Sequence, residues 1–395
     1  MATRNPLSTL RCRMTFRGFR EYLPKVAGQV AAISAFTMVF FSSAETPAFG
    51  NSETQPNVVV ILTDDQGWGD VSCHGNPQIQ TPHMDALAAE GAWFDRFFVS
   101  PVCAPTRASL LSGRFDVRTG VSGVTGRLEV MRSDEVTIAE LFRDAGYRTG
   151  CFGKWHNGEQ FPNNPAGQGF EEFFGFCGGH WNNYFDSTLE HNGRPVKTTG
   201  YITDVLTDAA IRFVTGDPGR PFFCYVPFNA PHTPWQVPDE WFDKCADRTS
   251  DRATQCAYAM VENIDHNVGR LLDALGEQRH NTIVVFLTDN GPNGQRYNGD
   301  LRGIKGSVHE GGVRVPLFIS WPGKIAPRKI DRIAAHVDLL PTLAELCGVA
   351  VESTKPLDGR SLVPLLNGTT TANDWPDRSL FTLYGGTVRQ RRGAV

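Results

Sequence analysis

The chain has 395 residues, a formal charge of −4, 41% hydrophobic and 20% charged residues, 40 glycines and 25 prolines. This is a globular composition, long enough for one large α/β domain or two ordinary ones. It excludes a disordered chain, a repeat array and the basic footprint of a nucleic-acid binder.

The first fifty residues differ from the rest. Arg4, Arg11, Arg13, Arg17, Arg20 and Lys25 are opposed only by Glu21 and precede the apolar run 26-VAGQVAAISAFTMVFFSSA-44. A basic start, an apolar stretch and small residues at Ser42 to Ala44 read as an export signal over residues 1–44, with cleavage as late as residue 50 also compatible. A periplasmic or extracellular protein is expected. The rival reading, an uncleaved anchor, is weakened by Gly28, Gln29, Ser34 and Thr37 within the run, so no stable membrane partner is expected.

After this leader, 57-NVVVILT-63 is a continuous β-branched run of the kind that forms a parallel strand covered on both faces. The stretch 81-TPHMDALAAEG-91 reads as a helix with Thr81 capping and Pro82 in its first turn. Strand signals recur at 147-YRTGCFG, 222-FFCYVPF, 282-TIVVFLT and 315-VPLFISW, and helical ones at 134-DEVTIAELFRDAG, 203-TDVLTDAAIRFVTG and 255-QCAYAMVENIDHNVGRLLDAL. This alternation predicts an α/β fold, a mostly parallel central sheet with helices on both faces. In such sheets the site lies beyond the carboxyl ends of the strands.

Those ends carry chemistry. Asp64 and Asp65 close the first strand, and Asp289 and Asn290 close the run at 282–288. Acids at buried strand ends are costly unless a cation neutralises them, and this all-oxygen set suits Ca²⁺ or Mg²⁺ rather than a soft metal. A cap or turn role for one Asp-Asp pair alone is the plainer reading. Lys154 and His156 follow another strand, His232 a third, and Lys305 lies in a Gly-rich loop. Singly each resembles a solvated surface group. Together with Arg107 they describe a positive pocket for a tetrahedral oxyanion, with histidines to move protons.

The nine cysteines contain no C-x-x-C pair, so a structural zinc site is not expected. Cys151 and Cys224 read as small buried hydrophobes. Cys245 and Cys256 are a candidate pair for closing a short loop. Cys103 stays open between core filler, disulfide half, thiol nucleophile and a precursor of something else.

The ordered motifs 60-VILTDDQGWGD-70, 103-CAPTRASLLSGR-114, 150-GCFGKWH-156, 227-PFNAPHTP-234, 287-LTDNG-291 and 302-RGIKGSVHEGGVRVP-316 resemble the formylglycine-dependent sulfatases, of the alkaline-phosphatase-like fold. The resemblance spans about residue 55 to about residue 350. It implies that Cys103 is oxidised to Cα-formylglycine by a maturation enzyme that reads Pro105 and Arg107. It also implies that Asp64, Asp65, Asp289, Asn290 and the modified Cys103 bind one Ca²⁺. Arg107, Lys154, His156, His232 and Lys305 complete the implied catalytic set. The implied reaction is hydrolysis of a sulfate ester, on a sulfated small molecule or polysaccharide fragment. His180, Trp181 and Asn183 in 176-FCGGHWNNYFD-186 are candidate contacts to the alcohol part, with a structural loop as the equal alternative. The chain departs from the pattern after residue 350, where 351–395 read as a truncated remnant of a C-terminal antiparallel subdomain. The chemical rival is a phosphate or phosphonate ester hydrolase of the same superfamily, which typically has histidine where this chain has Asn290. The rival of another class is a secreted binding protein that lost catalysis.

Overall fold

Seven residues of β1 (Asn57–Thr63) are buried without exception, which requires both faces of the strand to be covered. In the computed structural model, which describes residues 55–353, 355–368, 375–384 and 387–392, two separate apolar clusters do this. Val58, Val60 and Leu62 face one cluster, and Val59 and Ile61 face the other, the two-residue alternation of a pleated strand. The expected export signal lies outside the described residues. Among those described, no helix is long and apolar enough to cross a membrane.

The chain continues through β2 (Ala92–Phe94), β3 (Phe97–Phe98), β4 (Arg148–Lys154), β5 (Glu172–Phe176), β6 (Thr188–His191) and β7 (Arg194–Lys197). It then forms β8 (Phe222–Pro227), β9 (Thr282–Thr288), β10 (Arg314–Val315), β11 (Leu317–Ser320), β12 (Arg328–Ile330) and β13 (Ala334–Ala335). Ten of these strands make one sheet in the order β12-β2-β11-β9-β1-β8-β4-β5-β6-β7. The central run β9-β1-β8-β4-β5 is parallel throughout, and antiparallel pairings are confined to its flanks. The sheet is therefore the mostly parallel one expected.

Helices α1 (Pro82–Glu90), α2 (Cys103–Ser112), α3 (Asp116–Thr119), α4 (Ile138–Asp144), α5 (Ile202–Thr215), α6 (Asp239–Lys244) and α7 (Arg252–Leu275) come mostly from the expected segments. Residues of α1, α5 and α7 pack in one apolar cluster and those of α2 and α4 in the other. In α5, Ile202, Leu206, Ala209, Ala210 and Phe213 are buried at helical spacing. Thr81 occupies the cap of α1, but its hydroxyl donates to Asp85 (3.1 Å) instead of accepting a helix N–H.

Beyond residue 350 a short helix (Val363–Asn367) precedes an antiparallel hairpin of β14 (Ser379–Tyr384) and β15 (Thr387–Arg392). Leu380 packs with Phe98 and Val337, and Arg378 forms a buried-acid pair with Asp338. Every described cysteine is a free thiol, Cys245 and Cys256 included, while Cys151 and Cys224 are fully buried as expected.

Candidate active site

Sheet register brings the acids together. β1 and β9 pair in parallel along their whole length and end on the partners Thr63 and Thr288, so Asp64 and Asp289 leave adjacent strands at one level. β8 adjoins β1 on its other side, and β4 adjoins β8, which delivers His232 and then Lys154 and His156 to the same edge. Asp65 and His156 both hold left-handed backbone (φ 63° and 62°), an uncommon conformation outside glycine that turns each strand end sharply.

Helix α2 inserts from below with all ten residues buried. Its Arg107 donates to Asp64 Oδ2 (3.1 Å), to Asp289 Oδ2 (2.9 Å) and to the Lys154 carbonyl (2.7 Å). Lys154 Nζ pairs with Asp64 Oδ2, and Lys305 Nζ lies 2.6 Å from Asp65 Oδ1. Asn290 donates to Asp65 Oδ1 (2.9 Å), and the Asp65 N–H donates to Asp289 Oδ1 (3.1 Å). The Gly-rich loop that carries Lys305 is tied to the Cys103 segment by Gly306 N–H donating to the Pro101 carbonyl at 2.8 Å. Sequence reading missed a buried pair behind this loop: Arg296 clamps Asp70 (2.6 Å) and donates to the Asp65 carbonyl (2.9 Å).

Three carboxylates, Asp64, Asp65 and Asp289, meet three cations, Arg107, Lys154 and Lys305, but the compensation is uneven. Burial would raise the Asp64 carboxyl, but Lys154, His232, Arg107 and Lys305 together hold it far below the usual carboxylate range. Asp289 goes the other way, pushed up to about 7 by burial and by the Asp64 charge against Arg107 and Lys154. Asp64 Oδ1 and Asn290 Oδ1 are buried with no hydrogen-bond partner. Asp64, Asp289 and Cys103 bring one ligand atom each within 4.8 Å of one another, as do Asp64, Asp65 and His232. Orphaned hard oxygens and an undercompensated acid fit a divalent cation bound here. Burial also pushes the Cys103 thiol up, which disfavours a thiolate nucleophile.

A cavity of about 730 Å³ opens over this floor, lined by Cys103, His156, His232 and Lys305. His180 also lines it. Trp181 and Asn183 do not: Trp181 stacks on Phe176 and donates to Ser187 (3.2 Å), and Asn183 is exposed, its carbonyl accepting from Ser187. The other walls come from the 124–130 and 158–163 loops, which the sequence did not mark. The one available cue was the polar, Gly-rich run that follows 153-GKWH-156.

The Sulfatase family model matches residues 56–349. The chain belongs to the sulfatase family. It is 32% identical to N-acetylgalactosamine-6-sulfatase of Canis lupus familiaris over 91% of this chain and 74% of that relative. It is 34% identical to arylsulfatase A of Homo sapiens over 82% of this chain and 70% of that relative. Its fold matches the crystal structure of Ps i-CgsB in complex with k-i-k-neocarrahexaose with TM-score 0.79 and 32% identity, covering 86% of this chain and 82% of that one. This sulfatase is accordingly a sulfuric ester hydrolase of alkaline-phosphatase-like fold.

Proposed function

We propose that this sulfatase cleaves sulfate from a sulfated carbohydrate, using Cα-formylglycine made from Cys103 by a separate maturation enzyme and one Ca²⁺ held by Asp64, Asp65, Asp289, Asn290 and residue 103. The observation that carries this is the convergence of Cys103 with Asp64 and Asp289 beside two orphaned oxygens. Formylglycine supplies a hydrated aldehyde, whose second hydroxyl lets sulfate leave without a stalled ester, and Ca²⁺ offsets negative charge on the sulfuryl oxygens.

The chain's own groups have separable tasks. Lys154 and Lys305 offset charge on the sulfuryl group. Burial raises the cost of charge on Lys305, but Asp65 keeps the ammonium protonated. Arg107 makes four hydrogen bonds, to Asp64, Asp289 and a carbonyl, and so holds the acids and helix α2 in place. His232 Nδ1 donates to the Thr233 carbonyl (2.6 Å), leaving Nε2, 3.6 Å from Asp65, as the atom that faces the acids. Burial lowers this imidazole while Asp64 and Asp65 raise it, and only as the imidazolium, protonated at Nε2 as well, does it hand a proton to the departing alcohol oxygen. His156 Nε2 donates to the Val124 carbonyl (2.9 Å), which leaves its unpartnered Nδ1 as the basic atom. Burial, then Lys154, push the His156 imidazole well below its ordinary range, which keeps it a neutral base near pH 7.

A carbohydrate substrate is supported by the size of the cavity, within the ~300–1,000 Å³ typical of small-molecule sites, and by the names of the relatives. The leader points to export, to a periplasm or beyond. The test is sulfate release from sulfated sugars and 4-nitrophenyl sulfate, with and without EDTA, by protein shown to carry formylglycine. Release that EDTA abolishes and calcium restores is expected. No hydrolysis of any sulfated sugar would defeat the carbohydrate reading, and indifference to EDTA would defeat the metal assignment.

A further inference from the structure

Two loops rise beside the catalytic floor and are joined at their bases. Asn163 Nδ2 donates to the Met131 carbonyl (2.6 Å), the Met131 N–H donates to the Asn157 carbonyl (3.1 Å), and Trp155 Nε1 donates to the Asn163 carbonyl (2.9 Å). The first loop folds back on itself, with the Ser122 N–H donating to the Leu128 carbonyl at 2.8 Å. On this braced base the two loops display large apolar side chains to water. Phe161 is 77% exposed, the highest value for a large hydrophobic residue among those described, and Leu128 is 53% exposed.

Their position is not arbitrary. Leu128 lies between Arg127 and Glu129, and Phe161 between Gln160 and Asn163, and all four of these neighbours line the catalytic cavity. Neither side chain lines the cavity itself; both stand exposed on the loops that do, and exposed apolar groups beside a pocket mark a ligand surface. Glu129 adds an independent sign: its Oε2 is buried and lacks any hydrogen-bond partner, while its own carbonyl is held by Asn157 Nδ2 at 3.3 Å. A carboxylate oxygen of this kind, at the wall of a cavity, is free to accept from water or from a ligand hydroxyl.

An aromatic face, a second apolar side chain and an unsatisfied acceptor together match a sugar ring, which offers apolar C–H faces and hydroxyl donors at its rim. We propose that Phe161, Leu128 and Glu129 form a subsite for the sugar unit next to the sulfated one, so that this enzyme prefers oligosaccharides to monosaccharide sulfates. This rests on the carbohydrate reading above and deepens it. Phe161 and Leu128 cover the faces of the neighbouring ring, and Glu129 accepts from one of its hydroxyls.

The experiment compares kcat/KM on sulfated galactose with that on matching sulfated neocarra-oligosaccharides of two, four and six sugars, with 4-nitrophenyl sulfate alongside. The wild type is expected to favour the longer substrates by tenfold or more. Phe161→Ala is expected to shrink that ratio about tenfold, through KM, and Phe161→Trp to keep it. Using the ratio cancels any loss of active protein. Calorimetry with the unsulfated tetrasaccharide reads the same subsite without turnover, and Phe161→Ala and Glu129→Gln are each expected to weaken it. Equal kcat/KM on one and four sugars, or a ratio and tetrasaccharide binding unmoved in Phe161→Ala, would overturn the subsite alone. Cleavage of 4-nitrophenyl sulfate with refusal of every sulfated sugar would overturn the carbohydrate reading and the subsite with it.

Discussion

Arg107 donates to one oxygen of Asp289 from two nitrogens, Nε at 3.2 Å and Nη2 at 2.9 Å, with both side chains fully buried. The contact joins the helix that begins at Cys103 to the end of β9. It therefore sets the distance between residue 103 and the acids. Removing one partner of a buried pair leaves an uncompensated charge.

Arg107→Ala leaves Asp289 without its cation and leaves Asp64 with Lys154 alone. Urea unfolding is expected to show a loss of about 3–5 kcal/mol. Arg107→Lys keeps the charge without the fork and should lose less. A wild-type unfolding midpoint for the alanine variant would contradict the structural role given to this pair.

Calcium should raise the thermal midpoint even when no substrate is present. At a concentration a hundredfold above its dissociation constant, the gain is about 2.7 kcal/mol. Asp64→Asn removes a charge from the set with the orphaned oxygen and should abolish most of that rise. Differential scanning fluorimetry with EDTA, calcium and magnesium distinguishes a specific site from a general salt effect.

The proposed conversion of Cys103 to formylglycine is expected to lower the intact mass by about 18 Da. Cys103→Ser offers one hydroxyl and no second one. Incubated with substrate, that variant is expected to retain sulfate as a covalent ester, about 80 Da heavier, and to stop. Continued turnover by Cys103→Ala would refute a nucleophile at position 103.

The cavity wall meets His156 at a glycine. A Cβ on Gly179 would lie 2.0 Å from His156 Nε2 and 2.4 Å from Cε1, closer than any side chain can stand. Gly179→Ala should push the imidazole off the Val124 carbonyl and lower kcat about 10²-fold, the usual effect of an ångström-scale misplacement. Unchanged kcat would mean that His156 is not the base.

Acid stability should depend on His336, whose fully buried imidazole is pushed down to about 3 by burial, the Phe98 backbone contact offsetting this in part. A histidine depressed in the folded state contributes its full stability above its unfolded value near 6.5 and loses it as pH falls toward about 3. Between pH 7.5 and pH 5 this amounts to about 2 kcal/mol. Asp116, pushed up to about 6 by burial, faces the same Ser100 hydroxyl and acts in the opposite sense. Comparing wild type with His336→Gln by urea unfolding at both pH values isolates the histidine: the variant should show the shallower acid loss. Parallel losses would contradict it.

Much of the candidate site was legible in the sequence. Asp64, Asp65, Lys154, His156, His232, Asp289 and Asn290 follow apolar runs whose alternation with helices already implied a parallel sheet, and such sheets present their chemistry at strand ends. Cys103 and Lys305 were legible only through the motifs around them. Trp181 and Asn183 were not separable from His180, because three polar or aromatic residues of one loop point by local geometry that spacing does not encode. Glu129 and Phe161 carried no signal, since an exposed loop residue looks alike whether it faces a ligand or only water.

The linear chain thus determined which segments become strands and helices, because burial on two faces or on one stripe is written in the local run of side chains. It also determined the order of the reactive residues along those segments. The tertiary structure decided which strands are neighbours, and with it that Thr63 and Thr288 are partners, so that acids 225 residues apart share one cation-sized space. It also decided that the 124–130 and 158–163 loops wall the cavity. Strand pairing and loop contact depend on groups far apart in the chain, and their energies arise only once the whole sheet has closed around them.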